Sequence, residues 1–178
     1  FGLTENSLNP QLSKLLRKLV REGGMTKAKP FTIRRLVSGD IDKARGLLAV
    51  FGQAFEDVHT YTKAQPGRQY LNKLLGNETV IVLASLQGAE VVGGLVAYEL
   101  QKLEQQRSEV YIYDLAVAEQ HRRRGIATGL IEQVRIIAAQ RGAHVIFVQA
   151  DLEDNPAIQL YTKLGIREDV LHFDIAVK

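Results

Sequence analysis

From Phe31 onward the apolar positions switch repeatedly between a period of two and a period of three to four. Phe31–Leu36 reads as a short strand. After Asp40, a residue type that caps helix N-termini, Ile41, Ala44, Leu47, Leu48, Phe51 and Phe55 recur at helical spacing. Gln65–Gly67 is a turn, and Tyr70, Leu71, Leu74 and Leu75 predict a short second helix. Two β-rich runs, Thr79–Ser85 and Val91–Leu100, flank Gln87-Gly88 and read as a hairpin. Glu109–Val117 is a further strand. Gly125–Gln140 predicts a helix with Ile126, Leu130, Ile131, Val134, Ile137 and Ala138 on one side, stopped by Arg141-Gly142. His144–Ala150 reads as a buried strand, and Pro156–Leu164 as a helix with proline near its first turn and Gly165 beyond its end. Gly165–Val177 holds one or two final strands. Hairpins mixed with crossovers give an α/β (α+β) domain: a mixed central sheet of six to seven strands flanked by about four helices. Gly93-Gly94, inside a predicted strand, marks a bulge or close packing rather than a binding loop.

Upstream, Leu8, Leu12, Leu15, Leu16, Leu19 and Val20 also recur at helical spacing, with basic residues between them, until Gly23-Gly24. The chain starts at Phe1 and its single methionine is Met25. Residues 1–24 are therefore expected to be a leader or appended amphipathic segment, and 25–178 the folded domain. A partner-binding or membrane-surface helix is the other reading of that segment.

Charge and composition narrow the classes. Of 23 Lys and Arg and 20 Asp and Glu, four bases and two acids lie in residues 1–24. The remainder is close to neutral, so the sequence pI of about 9.2 is a weak argument for nucleic acid. No apolar run approaches the roughly 20 residues of a membrane span. With no cysteine there is no disulfide, thiolate metal site or cysteine acyl intermediate. No secretion-type segment opens the chain, and a cytoplasmic location is expected.

The densest chemistry lies in residues 119–131, EQHRRRGIATGLI, where Arg122, Arg123 and Arg124 run into Gly125 at a predicted helix start. Helix N-termini present unpaired N–H groups and partial positive charge. A glycine and the small Ala127 leave room for a ligand, and guanidinium groups add charge-assisted contacts to phosphate oxygens. The turn has neither the P-loop spacing nor the glycines of a dinucleotide fingerprint. Taken alone it also fits a solvated loop.

The flanking residues add a family resemblance. Tyr113-Asp114-Leu115-Ala116-Val117, a four-residue gap, then Arg122-Arg123-Arg124-Gly125-Ile126-Ala127 resembles the acetyl-CoA signature of the GCN5-related N-acetyltransferases. That signature is Arg or Gln, two residues, Gly, one residue, then Gly or Ala. Asp154-Asn155-Pro156-Ala157-Ile158-Gln159-Leu160-Tyr161-Thr162-Lys163-Leu164-Gly165-Ile166 resembles the second cofactor motif of the same family. Phe51-Gly52, Phe55, Asp57, Tyr61, Gln65-Pro66, Tyr70-Leu71, Leu74-Leu75, Arg107–Val117, Tyr161–Glu168 and His172–Ile175 resemble the aminoglycoside 3-N-acetyltransferases of the gentamicin type. The likeness covers roughly residues 31–175.

The resemblance implies acetyl-CoA as cosubstrate and a small polycationic amine as acceptor, attacked directly in a ternary complex. It assigns the diphosphate to Arg122, Arg123, Arg124, Gly125, Ile126, Ala127 and Thr128, and the pantetheine arm to the backbone of Leu115, Ala116 and Val117. Tyr161 matches the position whose phenol protonates the departing thiolate. The base is left among Asp114, ranked first beside the acetyl position, Tyr111, Glu109 and, further on, Asp151 and Asp174, with a water relay from several carboxylates as the other route. Strand alternation puts Glu109, Tyr111 and Tyr113 on the face opposite Asp114 unless a bulge intervenes. Glu56, Asp57, Asp151, Asp154 and Asp174 are the acids expected to receive a polycation. Asp154 stands where the second motif usually carries Asn, so a cofactor contact is not carried over to it. No pattern among the four histidines suggests a metal. A homodimer is a further implication, while nucleic-acid and membrane partners are not expected. The alternatives are an acetyltransferase acting on a polyamine, a peptide or a protein N-terminus, a basic nucleic-acid-binding module, and a non-catalytic acetyl-CoA sensor.

Overall fold

The computed structural model describes residues 30–177, and the amphipathic segment and Met25 lie outside the described residues. In order, the elements are β1 (Thr32–Arg35), α1 (Ile41–Ala54), a π turn (His59–Lys63), α2 (Arg68–Leu75), β2 (Val80–Gln87) and β3 (Glu90–Gln101). They continue with β4 (Ser108–Val117), a 3₁₀ turn (Glu119–His121), α3 (Ile126–Gln140), β5 (Ala143–Val148) and α4 (Asn155–Thr162).

The strands form one mixed sheet in the order β1-β2-β3-β4-β5. The first three pairings are antiparallel, and β4 with β5 is parallel. Each face of the sheet holds one core. On one face Ile126, Leu130, Ile131, Val134 and Ala138 of α3 pack on Ile81, Leu83, Leu95, Ala97, Val110 and Ile112. On the other face Ile41, Leu47 and Phe51 of α1 and Leu71 and Leu75 of α2 cover Val80, Val82 and Ala84. Leu130 and Val134 are fully buried, each contributing roughly 1.5–3 kcal/mol of transfer free energy.

Gly93-Gly94 is a close-packing site. A Cβ at Gly94 would collide with Leu83 O and Leu47 Cδ1, and one at Gly93 would lie 2.9 Å from Ala116 O. The two glycines let α1 and β4 approach the middle of β3.

A bulge in β4 is the feature that shapes the site. Val96 pairs with Asp114 but Ala97 pairs with Ile112, so Tyr113 is an extra residue on β4. Simple alternation across this point is therefore overturned. Tyr111 pairs with Tyr98 and Glu109 with Leu100, and those residues share the Val96 face that carries Asp114. Tyr111, Glu109 and Asp114 lie on one face because the inserted residue shifts the phase of the pleat by one.

Two expectations are corrected among the described residues. The sheet has five strands rather than six or seven, because Gly165–Val177 forms no ladder. Leu171, Phe173, Ile175 and Val177 alternate as a strand would, yet stand 84%, 76%, 89% and 96% exposed. Alternation supplies one face of a strand but not the partner edge whose hydrogen bonds define it. For the same reason β5 is a half-exposed edge strand and not a buried one, with Val145 and Phe147 exposed.

Candidate active site

The site is built along β4 and the turn after it. At the end of β4 the chain makes a 3₁₀ turn, and Arg122 Nε donates to Val117 O at 3.1 Å, tying the turn back to the strand. Arg124 Nη1 lies 2.8 Å from Nδ1 of the buried His121, which fixes the third arginine of the run. Arg123 has φ of +61° and Gly125 φ of +80°, so two left-handed residues frame the turn. A left-handed non-glycine residue is costly and is retained where surrounding structure imposes it. Gly125 caps α3, and no side chain caps that helix. The first N–H groups of α3, on Ile126, Ala127 and Thr128, have no acceptor within the helix. A Cβ added at Gly125 would meet nothing within 4 Å, so the space beside Gly125 at the helix start is open. Arginines, successive N–H groups and open space fit a diphosphate-bearing cosubstrate.

The edge of β4 that faces β5 is open beside this cradle. Pairing of the two strands ends at Ile112 with Val148. Asp114, Leu115, Ala116 and Val117 pair with β3 on one side and have no partner in β5 on the other. The two parallel strands therefore splay beyond Ile112, and the backbone of residues 114–117 presents hydrogen-bonding groups to an extended ligand. Leu115 packs toward the α3 core and Ala116 toward the α1 core.

Asp114 sits at the start of the splay. It is half-buried, and its Oδ1 accepts a hydrogen bond from the Tyr61 hydroxyl at 3.1 Å. Burial pushes its carboxyl above the ordinary aspartate range, and the hydrogen bond from Tyr61 pulls part of the way back. Burial and the neighbouring Asp114 together push the Tyr61 phenol up, so Tyr61 stays protonated as the donor. Tyr98 and Tyr113 meet edge-on at 5.9 Å, and Tyr111 and Tyr113 at 5.8 Å. Burial raises the Tyr98 and Tyr111 phenols, with Asp114 contributing to both. The result is one carboxyl group ringed by neutral phenols, suited to taking a proton from a bound ammonium.

The remaining predicted residues are distributed around this centre. Tyr111 donates to Gln149 Oε1 at 2.9 Å and stacks on Phe147 at 4.9 Å, bracing β4 against β5. Glu109 lies 3.5 Å from Lys102 Nζ. It is five residues before Asp114, roughly 15 Å back along the strand. Tyr161 on α4 packs against the α3 core, on the opposite side of the sheet from Asp114. Its phenol is pushed up to about 12 by burial and by the nearby Asp154. Glu56, with φ of +56°, and Asp57 precede the π turn, and Asp57 Oδ1 accepts from Thr60 N at 3.0 Å. Asp154 caps α4 by accepting from Ala157 N at 3.0 Å. Asp151 is exposed, and the fully exposed Asp174 lies 3.1 Å from His172. Glu56 and Asp57 thus lie next to the turn that reaches Asp114, whereas no described contact brings Asp151 or Asp174 to it. Among the described residues no group of three His, Cys, Asp or Glu could hold a metal ion.

Residues 48–166 match the Acetyltransferase (GNAT) family, a stretch that runs from within α1 past α4. The chain belongs to this family. Its members take the acetyl group from acetyl-CoA. An aminoglycoside acetyltransferase from an uncultured soil metagenomic sample superposes on this GNAT chain with a TM-score of 0.82. The two are 56% identical, over 84% of this chain and 99% of that one. Another soil metagenomic aminoglycoside acetyltransferase, in complex with sisomicin, has a TM-score of 0.77 and 31% identity, covering 83% of this chain and 97% of that one. An uncharacterized N-acetyltransferase of Methanocaldococcus jannaschii is 28% identical over 145 residues, which is 79% of this chain and 62% of that protein. An N-alpha-acetyltransferase of Sulfurisphaera tokodaii is 31% identical over 91 residues, which is 45% of this chain and 54% of that protein. The GNAT chain thus spans a little over half the length of these curated relatives.

Sequence reasoning gave no role to Tyr61, Tyr98 or His121. Tyr61 is 53 positions from Asp114, and no spacing rule links them. The run of aromatic residues at Phe51, Phe55 and Tyr61 was the available signal, because the rings of all three meet in the structure.

Proposed function

We propose that this GNAT protein transfers the acetyl group of acetyl-CoA to an amino group of an aminoglycoside, the 3-amino group in particular. One observation carries the reading: β4 holds a half-buried carboxyl group at the start of the splay, and the same strand runs on into the basic cradle. The likeness to aminoglycoside acetyltransferases over most of the chain supports the acceptor class.

Arg122, Arg123 and Arg124 and the N–H groups from Gly125 to Thr128 hold the diphosphate, and the backbone of Leu115, Ala116 and Val117 lines the pantetheine arm. Bound there, acetyl-CoA supplies the acetyl group as an activated thioester. A backbone N–H of the open β4 edge donates to the developing oxyanion. Asp114 accepts the proton of the substrate ammonium, which leaves a neutral amine to attack. Tyr161, across the sheet, gives its proton to the sulfur that departs, and the second proton, which the nitrogen loses as the amide forms, restores the phenol through solvent. Tyr111 and Glu109 are secondary candidates, and of the two Tyr111 is the nearer along β4 to Asp114. Glu56 and Asp57, with Asp151, Asp154 and Asp174 from the C-terminal part, attract the other ammonium groups of the acceptor. In this reading the protein is a cytoplasmic resistance enzyme. It forms a homodimer through the exposed apolar side chains of Leu171, Phe173, Ile175 and Val177.

A second reading, acetylation of a peptide or protein N-terminus, is favoured by the 31% identity to an N-alpha-acetyltransferase. Free-thiol release from acetyl-CoA separates the two when sisomicin, gentamicin, spermidine and a short peptide are supplied one at a time. Release with the aminoglycosides supports the first reading. Release with the peptide alone replaces it by the second.

A further inference from the structure

Between α1 and α2 the chain makes a π turn at His59–Lys63, a rare widened turn that occurs frequently at functional sites. The turn sits close to α1 at one position. A Cβ at Gly52 would lie 3.2 Å from Tyr61 Cβ and 3.3 Å from Thr62 Cγ2, tighter than ordinary contact. Glycine at 52 thus lets the turn settle against the helix. Phe51, which is 1% exposed, and Phe55 then enclose the Tyr61 ring, with centroids 6.0 and 5.6 Å away. The ring is fixed by apolar packing, and its hydroxyl reaches Asp114 Oδ1.

We propose that Tyr61 is the positioning residue for the proton-accepting carboxylate, holding Asp114 Oδ1 so that Oδ2 is the atom offered to the substrate amine. The inference rests on the reading of Asp114 as the base. Its chemistry follows from the surroundings. Asp114 must be ionised to accept a proton, but burial favours the neutral acid. The titratable groups around it are the phenols of Tyr61 from the π turn, Tyr98 from β3, and Tyr111 and Tyr113 from β4. Asp57, before the turn, and Tyr70 of α2 act at second hand, on Tyr61 and Tyr98 respectively. The α1 residues packed there, Phe51 and Phe55, carry no charge. The hydrogen bond from Tyr61 is the favourable interaction that the ionised form gains. During transfer the amine proton moves to Oδ2 and the Tyr61 proton stays on its own oxygen, so the phenol is neither acid nor base.

Tyr61→Phe keeps the ring and deletes the hydroxyl. The acid limb of the kcat/KM profile for the aminoglycoside is expected to move to higher pH. On that limb the variant loses roughly tenfold, the loss is under about threefold on the plateau, and KM for acetyl-CoA is unchanged. Gly52→Ala keeps the hydroxyl and crowds the turn, so it moves the limb in the same direction by less. Asp114→Asn separates this inference from the reading beneath it. If Asp114→Asn keeps both turnover and the acid limb, the base is elsewhere and both fall. If Asp114→Asn abolishes turnover while Tyr61→Phe and Gly52→Ala leave the limb where it was, the positioning role alone is overturned. A loss in Tyr61→Phe that is equal at every pH also overturns it, since a merely structural residue would give that result.

Discussion

Gly125→Ala separates the conformational work of this residue from its part in holding acetyl-CoA. Its φ is +80°, and a left-handed conformation costs an L-residue roughly 1–2 kcal/mol. Alanine also restricts the unfolded chain, which returns about half a kcal/mol. The Cβ would meet nothing within 4 Å, so no packing penalty is added. The free protein should lose about 1 kcal/mol, a fall in Tm of roughly 2–4 °C for a domain of this size. Gly142→Ala is the matched control. Its φ is +73°, its Cβ would also be in open space, and it follows the far end of α3. The two variants should melt together in the absence of ligand. With acetyl-CoA they should part, because the methyl group at 125 stands at the start of α3, where the proposed cradle holds the diphosphate. Losing one charge-assisted hydrogen bond, at about 1.5–3 kcal/mol, weakens binding roughly tenfold to a hundredfold. Calorimetric titration of acetyl-CoA and melting with and without it read both effects. If Gly125→Ala binds acetyl-CoA as tightly as Gly142→Ala does, the cradle is not at this turn and the reasoning fails.

Three further outcomes follow from the same geometry. Burial raises the Asp114 carboxyl, so its contribution to stability is present at low pH and is lost as pH rises through its folded value. Asp114→Asn should therefore melt above wild type at pH 7.5, and the gap should close as pH falls toward the ordinary aspartate value of 3.8. Gly94→Ala places a methyl group against Leu83 O and Leu47 Cδ1, both fixed in the core, and should cost about 3 kcal/mol in urea unfolding. Tyr161 stays protonated up to about 12, so Tyr161→Phe should lower kcat while leaving KM for acetyl-CoA and the shape of the pH profile below pH 10 unchanged.

Much of this fold was legible because its helices bury one face each. The apolar side read for α3 is the side that packs, with Ile126, Leu130, Ile131, Val134 and Ala138 all buried. The hairpin read around Gln87-Gly88 joins β2 and β3, with the turn itself at Gly88-Ala89, and Gly88 has the positive φ of +64° that such a turn favours. Gly93-Gly94 was legible as close packing for a similar reason, since a missing side chain leaves room for a neighbour. What was not legible depended on partners distant in the chain. The phase of β4 hinged on whether Tyr113 is paired, and only the register with β3 decides that. Tyr61 has no pattern that points to Asp114, because their contact is made by a π turn folding onto the sheet from another element. The alternation in Leu171–Val177 described a side-chain face and carried no information about an edge to pair with.

The most direct test of the central claim is the structure of the product. Incubation of the protein with acetyl-CoA and sisomicin, followed by mass spectrometry and NMR, should give singly acetylated sisomicin with its new amide at the 3-amino position. The same incubation with Asp114→Asn should leave sisomicin unmodified. Unmodified sisomicin with the wild-type protein, alongside an acetylated peptide N-terminus under the same conditions, would contradict the account.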